Sequence, residues 1–426
     1  MMAANMNDRI EAALSELRNQ IDARVSSYFS SCVHCGLCAE ACHFHVETGD
    51  PRYTPIYKLE PMRKLWRQEH TLSGRLGKML GRSSGPDERD FADWEDLVYD
   101  SCNLCGRCSM VCPVGIDITY MLRKQREAFY LSGYTPDGMQ KALQRTLDIG
   151  SPMGVTLKTL KATLAHVEKA SGLTIPIDRE GAEYMALFSS MEVVNFPEYI
   201  GSVTRIFDAA GLSWTISSEA FEATNAGIQI GSHDGAREIV SRAVDAAEKL
   251  GVKYLISPEC GHAYTAIRWE GPNLIGRPYK FKVIHILELL EQLQREGRLK
   301  LNGKSDTPMT LHDPCQIVRR GGVVDPPRNL LHQVASGFVE TTDHGSMNFC
   351  CGGGGGVSAN ERAEELRLRV FGRKKKQFEE SGVNTVVTAC ANCRIVLEEG
   401  LEHYEMDTEV IGLTELVAEY LEQGID

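Results

Sequence analysis

Eight cysteines in two identical runs constrain this chain more than any other feature of its 426 residues. Each run has the spacing C-x2-C-x2-C-x3-C, and Pro113 follows the second run. This is the spacing of two-cluster bacterial ferredoxins, in which the fourth cysteine of each run ligates the other cluster. It predicts two cubane [4Fe–4S] clusters, one held by Cys32, Cys35, Cys38 and Cys112 (the first cubane set) and one by Cys102, Cys105, Cys108 and Cys42 (the second cubane set).

Zinc is the alternative occupant, because structural zinc sites also use C-x2-C pairs. Two complete four-cysteine runs favour iron–sulfur clusters over a pair of zinc ions. His43 stands where a proline often follows the fourth cysteine, and this departure removes no ligand. The N-terminal part of the chain is therefore expected to transfer electrons.

The composition limits function and location. With 58 acidic and 46 basic residues, the formal net charge of −12 argues against binding to a nucleic-acid backbone. Fourteen cysteines at metal-ligand spacings in a long acidic chain indicate metal binding rather than disulfides. Residues 1–10 lack the apolar core of a signal peptide, and no stretch approaches the roughly 18 apolar residues of a membrane span. We expect a cytoplasmic protein, peripheral on the inner face of the cell membrane through a partner.

Three segments outside the cysteine motifs carry structural expectations. Residues 7–29 have a helical stripe of apolar side chains and predict one amphipathic helix. Residues 72–86, rich in Gly, Ser and Arg, predict an exposed loop. In the connecting region 136–180, residues 153–169 alternate apolar side chains with lysines. This segment or the N-terminal helix is a candidate for docking on a membrane surface or membrane subunit, and packing inside the protein is the alternative.

The chain repeats itself beyond residue 180. Residues 251–258 reappear in outline as 382–389, and residues 283–290 reappear as 410–417. Self-similarity over so long a period indicates two copies of one α/β unit rather than a solenoid, whose periods are shorter. In each copy a short β-rich run leads into a motif and then a helix. Since ligands of open α/β sheets bind at the carboxyl ends of strands, the motifs lie where a site is expected.

A further group of cysteines lies in the later copy. Adjacent cysteines cannot both bind one corner of a cubane without strain, so five thiolates from three loops favour an irregular, non-cubane cluster. A zinc site and a disulfide pair are the alternatives. The glycine run 352–356 lacks the P-loop and dinucleotide signatures, and we expect Gly352 and Gly353 to let backbone amides approach a cluster. The motifs are His312-Asp313-Pro314-Cys315, Cys350-Cys351-Gly352 and Cys390-Ala391-Asn392-Cys393.

These motifs carry a family resemblance. A cysteine, about 34 further residues, Cys-Cys-Gly and then C-x2-C resemble the cysteine-rich domain of heterodisulfide reductases. Residues 25–420 look like the membrane-linked catalytic subunit of that family. They are also similar to the iron–sulfur subunit K of the dissimilatory sulfite reductase-linked complex and to a subunit of membrane-bound nickel–iron hydrogenases. The resemblance implies one non-cubane [4Fe–4S] cluster that meets a thiol or disulfide, with the ligands Cys315, Cys350, Cys351, Cys390 and Cys393 (the C-terminal set).

The resemblance and the repeats together predict an α+β multidomain protein. A mainly helical two-cluster ferredoxin-like domain is followed by two pseudo-repeated α/β cysteine-rich domains. The expected parts are an N-terminal helix (1–28), the ferredoxin-like domain (29–135), connecting helices (136–180), a degenerate cysteine-rich repeat (181–305) and a complete repeat (306–426).

The expected function is that of an oxidoreductase subunit. Electrons would pass through the two cubanes to or from the non-cubane site, where a thiol–disulfide couple on a small molecule or protein reacts. Expected partners are a membrane cytochrome b-type subunit and other redox subunits. One alternative is a pure electron conduit between a hydrogenase and a cytochrome b. The other is the iron–sulfur subunit of a flavin-dependent dehydrogenase, with the flavin on another chain because no flavin fingerprint occurs here.

Catalytic candidates lie close to the C-terminal set. Disulfide reduction consumes protons, so His312, near Cys315, is a candidate acid; a structural role is the alternative for it and for His285. In the first copy, Cys260 aligns with Cys390 and is the only motif cysteine retained. We expect Cys260 and His262 to face the surviving cluster as a redox thiol and a proton donor, and a buried packing role for Cys260 is the alternative.

Overall fold

The computed structural model describes residues 5–82 and 85–422. Its internal contacts divide the chain into two compact units, each assembled from three stretches of sequence. The first unit comprises residues 1–140, 227–233 and 352–373, and the second comprises residues 141–226, 234–351 and 374–426. The α+β class expected from the sequence is confirmed, with helices throughout and two small parallel sheets.

The chain before residue 137 is mainly helical. The long helices α1 and α9 pack along each other, and their buried side chains include Leu17 and Met121. The helices are α1 (Met6–Gln20), α2 (Ala23–Ser31), α3 (Leu37–Glu40), α4 (His43–Thr48), α5 (Glu60–His70), α6 (Leu72–Met79), α7 (Glu88–Tyr99), α8 (Arg107–Met110) and α9 (Ile118–Ser132).

The prediction of one helix over residues 7–29 is wrong, because the helix breaks after Gln20. The side chain of Asp22 accepts a hydrogen bond from the backbone N–H of Val25 at 2.8 Å and caps a new helix. Capping competes with continuation of a helix, since an Asp side chain satisfies amides that a helix start leaves open. The apolar stripe survives the break, and both Leu17 and Val25 are buried.

The prediction of a loop over residues 72–86 is wrong for its first half, which is helix α6. Thr71 caps this helix by accepting a hydrogen bond from the N–H of Gly74 at 3.0 Å. A Cβ on Gly74 would come within 1.8 Å of the carbonyl oxygen of Arg67, so glycine here permits close packing of α6 on α5. The expected exposure is present in this half, because Leu72 is 87% and Met79 80% exposed; residues 83 and 84 of the predicted loop lie outside the described residues.

The remaining helices lie mostly in the second unit. Among them α11 packs on α13, and α13 packs on α22. The helices are α10 (Asp137–Ile149), α11 (Leu157–Ser171), α12 (Ser190–Asn195), α13 (Pro197–Ala209), α14 (Ala226–Ile230), α15 (His233–Leu250), α16 (Gly261–Thr265), α17 (Gly271–Ile275), α18 (Ile286–Arg295), α19 (Asp325–Val334), α20 (Glu364–Ser381), α21 (Ala391–His403) and α22 (Leu413–Glu419).

Both sheets lie in the second unit, and both have four parallel strands in the same spatial order, β2-β1-β3-β4 and β6-β5-β7-β8. The echoed sequence stretches form matching central strands, β3 and β7. Their middle residues, such as Leu255 and Val387, are buried in the two cores. The strands are β1 (Tyr184–Ala186), β2 (Trp214–Thr215), β3 (Tyr254–Ser257), β4 (Lys282–His285), β5 (Met309–His312), β6 (Phe338–Val339), β7 (Thr385–Thr388) and β8 (Glu409–Gly412).

The segment 153–169 is helical from Leu157 onward. Leu160, Leu164 and Val167 are buried, which favours packing inside the protein over docking of this apolar stripe on a membrane. Among the residues that the structure describes, no helix combines the length and the apolar character needed to cross a membrane.

Candidate iron–sulfur sites

The two N-terminal cysteine runs fold into loops with the same backbone. His34 and Leu104, at matching positions, have φ values of 54° and 52°. Gly36 and Gly106, two residues later, have φ values of 85° and 81°. The left-handed region costs a non-glycine residue roughly 1–2 kcal/mol. Its use at matching positions indicates that wrapping the chain around a shared centre requires this conformation.

Each loop contributes three cysteines to one cavity and one cysteine to the other. One cavity is lined by the first cubane set, and a separate cavity is lined by the second cubane set. Burial raises the pKa of the Cys38 thiol, and neighbouring cysteines of its own set add to the effect. Burial likewise raises the pKa of Cys108 well above its usual range. Buried, crowded thiols release their protons to a metal centre, so both donor sets fit an iron–sulfur cluster.

The two cubane cavities differ in exposure. Cys35 is exposed, and Val33 and Val114 beside it are 68% and 44% exposed. The second cavity is instead lined by the buried side chains of Phe44 and Lys58. A cluster in the first cavity would therefore be nearer to solvent than one in the second.

A fully buried arginine fixes the loop of the second cubane set. Arg126 donates from Nη2 to the carbonyl oxygens of Val98 and Cys102, both at 2.8 Å. Its Nη1 donates to the carbonyl oxygens of Gln229 at 2.5 Å and Gly355 at 2.6 Å. The guanidinium thus ties the first cysteine of the run to three other segments of the first unit.

Two further buried cations lie near the second cubane set. Arg107 donates from Nη1 to the carbonyl oxygen of Ala41 at 3.2 Å and so links the two cysteine loops. Lys58 donates from Nζ to the carbonyl oxygen of Ser101, directly before Cys102. Buried positive charge offsets the negative charge of a thiolate-ligated cluster and favours its reduced form.

The glycine run packs against the second cysteine loop. Nδ2 of Asn103 donates to the carbonyl oxygens of Gly352 at 2.5 Å and Gly354 at 3.1 Å. A Cβ on Gly355 would lie 2.7 Å from the carbonyl carbon of Asn103. Close backbone approach within the first unit accounts for these glycines without a phosphate. That amides of Gly352 and Gly353 approach a cluster stays a prediction.

The C-terminal set gathers at the carboxyl ends of strands β5 and β7. The Sγ atoms of Cys315 and Cys350 are 3.7 Å apart, and those of Cys351 and Cys393 are 3.4 Å apart. The backbone N–H of Cys393 donates to Sγ of Cys390 at 3.4 Å. All five side chains are buried. Both sulfur–sulfur separations are longer than a disulfide bond of about 2.05 Å, and they fit thiolates that share metal ions.

The pKa values of the C-terminal set diverge. Hydrogen bonds from the Cys393 side chain and from the backbone N–H groups of Cys393 and Gly261 lower the pKa of Cys390. Sulfur neighbours and burial raise the pKa of Cys315 and Cys393 well above the usual range. The set thus combines one thiol whose pKa is lowered with thiols whose pKa values are raised, and metal binding takes the protons from all of them.

Lys374 is a buried cation at this site that the sequence analysis did not identify. Lys374 donates from Nζ to Oδ1 of Asn348 at 2.5 Å and lies close to Cys350, Cys351 and Cys393. Burial lowers its pKa to about 8, while Asp313 and these cysteines act in the opposite direction. In the sequence, Lys374 belongs to a run of three lysines (374–376), a pattern typical of a solvent-exposed surface.

The two histidines considered from the sequence have different environments. His285 caps helix α18 by accepting at Nδ1 from the N–H of Leu287 at 3.2 Å, and burial lowers its pKa to about 3. It is a structural residue. His312 ends strand β5, and burial together with Lys374 and Arg319 holds its pKa well below the usual range. The proton-donor role expected for His312 stays a prediction.

The first copy brings Cys260 to the C-terminal set, within the second unit. The N–H of Ala391 donates to the carbonyl oxygen of Glu259 at 3.0 Å, and a Cβ on Gly261 would lie 2.6 Å from Cβ of Gln316. Sγ of Cys260 is 3.2 Å from Oγ1 of Thr224, and burial raises the pKa of this thiol. His262, two residues on, is half-buried. Redox and proton-donor roles for the pair stay predictions.

Two buried carboxyl groups line a cavity beside Cys390, and no motif in the sequence pointed to them. Oε1 of Glu259 accepts from Thr414, from the N–H at 3.0 Å and from Oγ1 at 2.6 Å. Burial raises the pKa of Glu259 to about 8 and that of Glu192 well above the usual range. Burial therefore favours the protonated form of both groups. Arg394 and Glu415, also in the lining, pair at 3.0 Å.

Two family models match separate parts of the chain. Residues 28–116, which contain both cubane runs, match the 4Fe-4S dicluster domain. Residues 309–398, which contain the whole C-terminal set, match the Cysteine-rich domain CCG. These matches support iron–sulfur clusters at the two cubane sets and a cysteine-rich domain around the C-terminal set.

Relatives that match over most of the chain are named as oxidoreductases. The chain is 27% identical to the second iron–sulfur subunit of the Hdr-like menaquinol oxidoreductase of Archaeoglobus fulgidus, over 92% of this chain and 80% of that protein. It is 27% identical to one subunit of the dihydromethanophenazine:CoB–CoM heterodisulfide reductase of Methanosarcina acetivorans, over 93% of this chain and 95% of that protein. It is 26% identical to the EtfAB:quinone oxidoreductase of Syntrophomonas wolfei, over 92% of this chain and 58% of that protein. These similarities identify the chain as an iron–sulfur electron-transfer protein and an oxidoreductase, similar over most of its length to subunits of heterodisulfide-reductase-like oxidoreductases.

Proposed function

We propose that this chain passes electrons through two cubane [4Fe–4S] clusters to or from a non-cubane [4Fe–4S] cluster that handles a thiol–disulfide couple. The observation that carries the proposal is the C-terminal set: five buried cysteines from three loops, two of them adjacent in sequence, with sulfur separations of 3.4 and 3.7 Å. The cubane sets supply two four-cysteine sites in the same chain. An irregular cluster would supply one-electron chemistry and iron positions open to sulfur.

The residues around the C-terminal set suit this chemistry. Reduction of a disulfide to two thiols consumes two electrons and two protons. The charge of Lys374 favours the thiolate form of a bound sulfur close to Cys350 and Cys351. Glu259 and Glu192 line the cavity beside Cys390, and burial favours the protonated form of each. The site thus combines electron carriers, a cation for sulfur anions and nearby carboxyl groups that favour keeping their protons.

The first test is the iron content of the anaerobically purified chain. Three [4Fe–4S] clusters require about twelve irons and twelve sulfides per chain. A Cys351→Ser variant should lose only the iron and sulfide of the non-cubane cluster. A matched Cys35→Ser variant should instead lose iron and sulfide from the first cubane cluster. A wild-type iron content equal to that of two clusters alone would refute the proposed non-cubane cluster.

The second test adds a substrate. Titration of the reduced protein with a small disulfide should change the paramagnetic signal of the C-terminal cluster in the wild-type chain and in Cys35→Ser. In Cys351→Ser the same titration should produce no change in the paramagnetic signal. A full iron count with no spectral response to any thiol or disulfide would contradict the proposed chemistry while leaving electron transfer intact.

The proposed setting is a membrane-associated redox complex. The named relatives are subunits or components of multi-subunit oxidoreductases, which supports redox partner subunits for this chain. We include a membrane cytochrome b-type subunit among them, with the chain held at the inner face of the membrane through that partner. Purification from solubilised membranes, followed by identification of the co-purifying subunits and their haem, tests this setting.

A second candidate is a pure electron conduit that makes or breaks no bond of its own. Two relatives are named for menaquinol and quinone rather than for a disulfide, which favours this candidate. The deciding measurement is turnover of the complex with a quinol analogue, with and without a disulfide. A Cys351→Ser complex that loses quinol-linked turnover in the absence of any disulfide would favour the conduit.

A further inference from the structure

The ring of a buried histidine at the C-terminal set has no hydrogen-bond partner among the described residues. His312 is the last residue of strand β5, pairs in register with Thr388 and is 1% exposed. Within residues 5–82 and 85–422, neither of its ring nitrogens has a hydrogen-bond partner. A buried polar group without a partner costs about 1–3 kcal/mol. An imidazole with two such nitrogens therefore points to a ligand that the polypeptide itself does not provide.

The neighbouring polar groups are engaged elsewhere. Asp313 accepts two hydrogen bonds from Arg328, both at 2.8 Å, and one from the N–H of Gly345 at 2.6 Å. Lys374 donates to Asn348, and Arg319 donates to backbone carbonyl oxygens, including that of Ser346 at 2.6 Å. These hydrogen bonds of Asp313, Lys374 and Arg319 all go to groups other than the ring of His312.

The ring does lie close to two cysteines. A ring nitrogen of His312 and the Sγ atoms of Cys351 and Cys393 all lie within 4.8 Å of one another. The two sulfurs are 3.4 Å apart. With bond lengths of about 2.3 Å to sulfur and 2.0 Å to nitrogen, two ligands on one tetrahedral metal ion lie roughly 3.5–3.8 Å apart. The two sulfurs are thus spaced as ligands of one ion, and the ring nitrogen lies close enough to approach the same ion.

We propose that His312 is a direct iron ligand, sharing with Cys351 and Cys393 one iron of the non-cubane cluster. The inference rests on the proposed function, because it assumes that the C-terminal set holds that cluster. A neutral imidazole adds no negative charge to five thiolates, and replacing thiolate by histidine raises the potential of iron–sulfur centres. His312 would thus make the C-terminal cluster easier to reduce than an all-cysteine cluster.

The decisive experiment is pulsed EPR of the wild-type chain, grown with ¹⁵N-histidine or with unlabelled histidine. We expect the signal of the C-terminal cluster to carry a strong nitrogen hyperfine coupling that changes with the label. His312→Gln should lose this coupling and shift the cluster potential downward. His332→Gln, which changes an exposed histidine of the same unit, should retain both.

The possible outcomes separate the two ideas. A wild-type chain with the iron of three clusters but no strong histidine coupling, or only the weak coupling of a hydrogen bond, overturns His312 as a ligand and leaves the proposed function standing. A wild-type chain with the iron of two clusters and no C-terminal signal overturns the proposed function itself. Because the labelled wild-type spectrum decides the question, failure of His312→Gln to fold does not protect the proposal.

Discussion

Replacing Arg126 by methionine should destabilise the first unit and empty the second cubane site. Arg126 has no exposed surface, and its guanidinium serves four carbonyl oxygens, those of Val98, Cys102, Gln229 and Gly355. Methionine fills much of the same volume and donates no hydrogen bond. The variant therefore isolates the loss of the donors from the loss of packing.

The magnitude follows from those four acceptors. A buried carbonyl left without its donor costs about 1–3 kcal/mol, so four of them cost at least about 4 kcal/mol. Removal of a buried charge offsets part of this cost, because the desolvation of the guanidinium is no longer needed. We expect a net loss of about 4 kcal/mol, a large share of the roughly 5–15 kcal/mol that typically separates folded from unfolded domains. Arg126→Lys keeps three N–H donors, so its stability should lie between that of the wild type and that of Arg126→Met.

The assay is anaerobic denaturant unfolding followed by visible cluster absorbance, with iron analysis of the purified variant. Arg52→Met is the matched control, because Arg52 pairs with Asp96 at 3.4 Å and both side chains are about half exposed. Such a surface pair contributes less than about 1 kcal/mol. The reasoning is refuted if Arg126→Met keeps its full iron content and unfolds within about 1 kcal/mol of the control.

Three further predictions concern the second unit. Because the pKa of Glu259 rises from 4.5 to about 8 on folding, its contribution to stability should fall by about 2 kcal/mol between about pH 6 and pH 8. Glu259→Gln should flatten that part of the pH–stability curve, and an unchanged slope would contradict the assignment. Cys260→Ser should retain full iron content but lose disulfide turnover. Unchanged turnover would show that Cys260 has only a packing role. Lys374→Met should lower the reduction potential of the C-terminal cluster in a redox titration, whereas the neighbouring Lys376→Met should leave it unchanged.

Local patterns were the part of the site that the sequence could predict. The spacing of each cysteine run reflects how far a short loop can reach around one centre, so the crossing of Cys42 and Cys112 between sets was predictable, and the cavities group them in that way. The positions of strands β3 and β7 followed from a Gly and a β-rich run in each copy. These features depend on neighbours in sequence.

Features that depend on distant segments could not be predicted. Nothing in the sequence of helix α9 distinguishes the buried Arg126 from the half-buried Arg123 and Lys124, because two of its acceptors come from residues far along the chain. Lys374 is buried while Lys376 of the same run is exposed. The break at Asp22 was hidden because the apolar stripe continues in phase across it. In each case tertiary contacts decided between alternatives of similar local energy.

The unequal exposure of the two cubane sites has a consequence for handling the protein in air. Iron–sulfur clusters are attacked where oxidants reach their sulfurs, and Cys35 with its neighbours Val33 and Val114 lies at the surface. The second site lies behind Phe44 and Lys58, which are buried. Oxidative decay should therefore begin at the outer site, so that iron is lost there first while the cluster at the inner site is still whole.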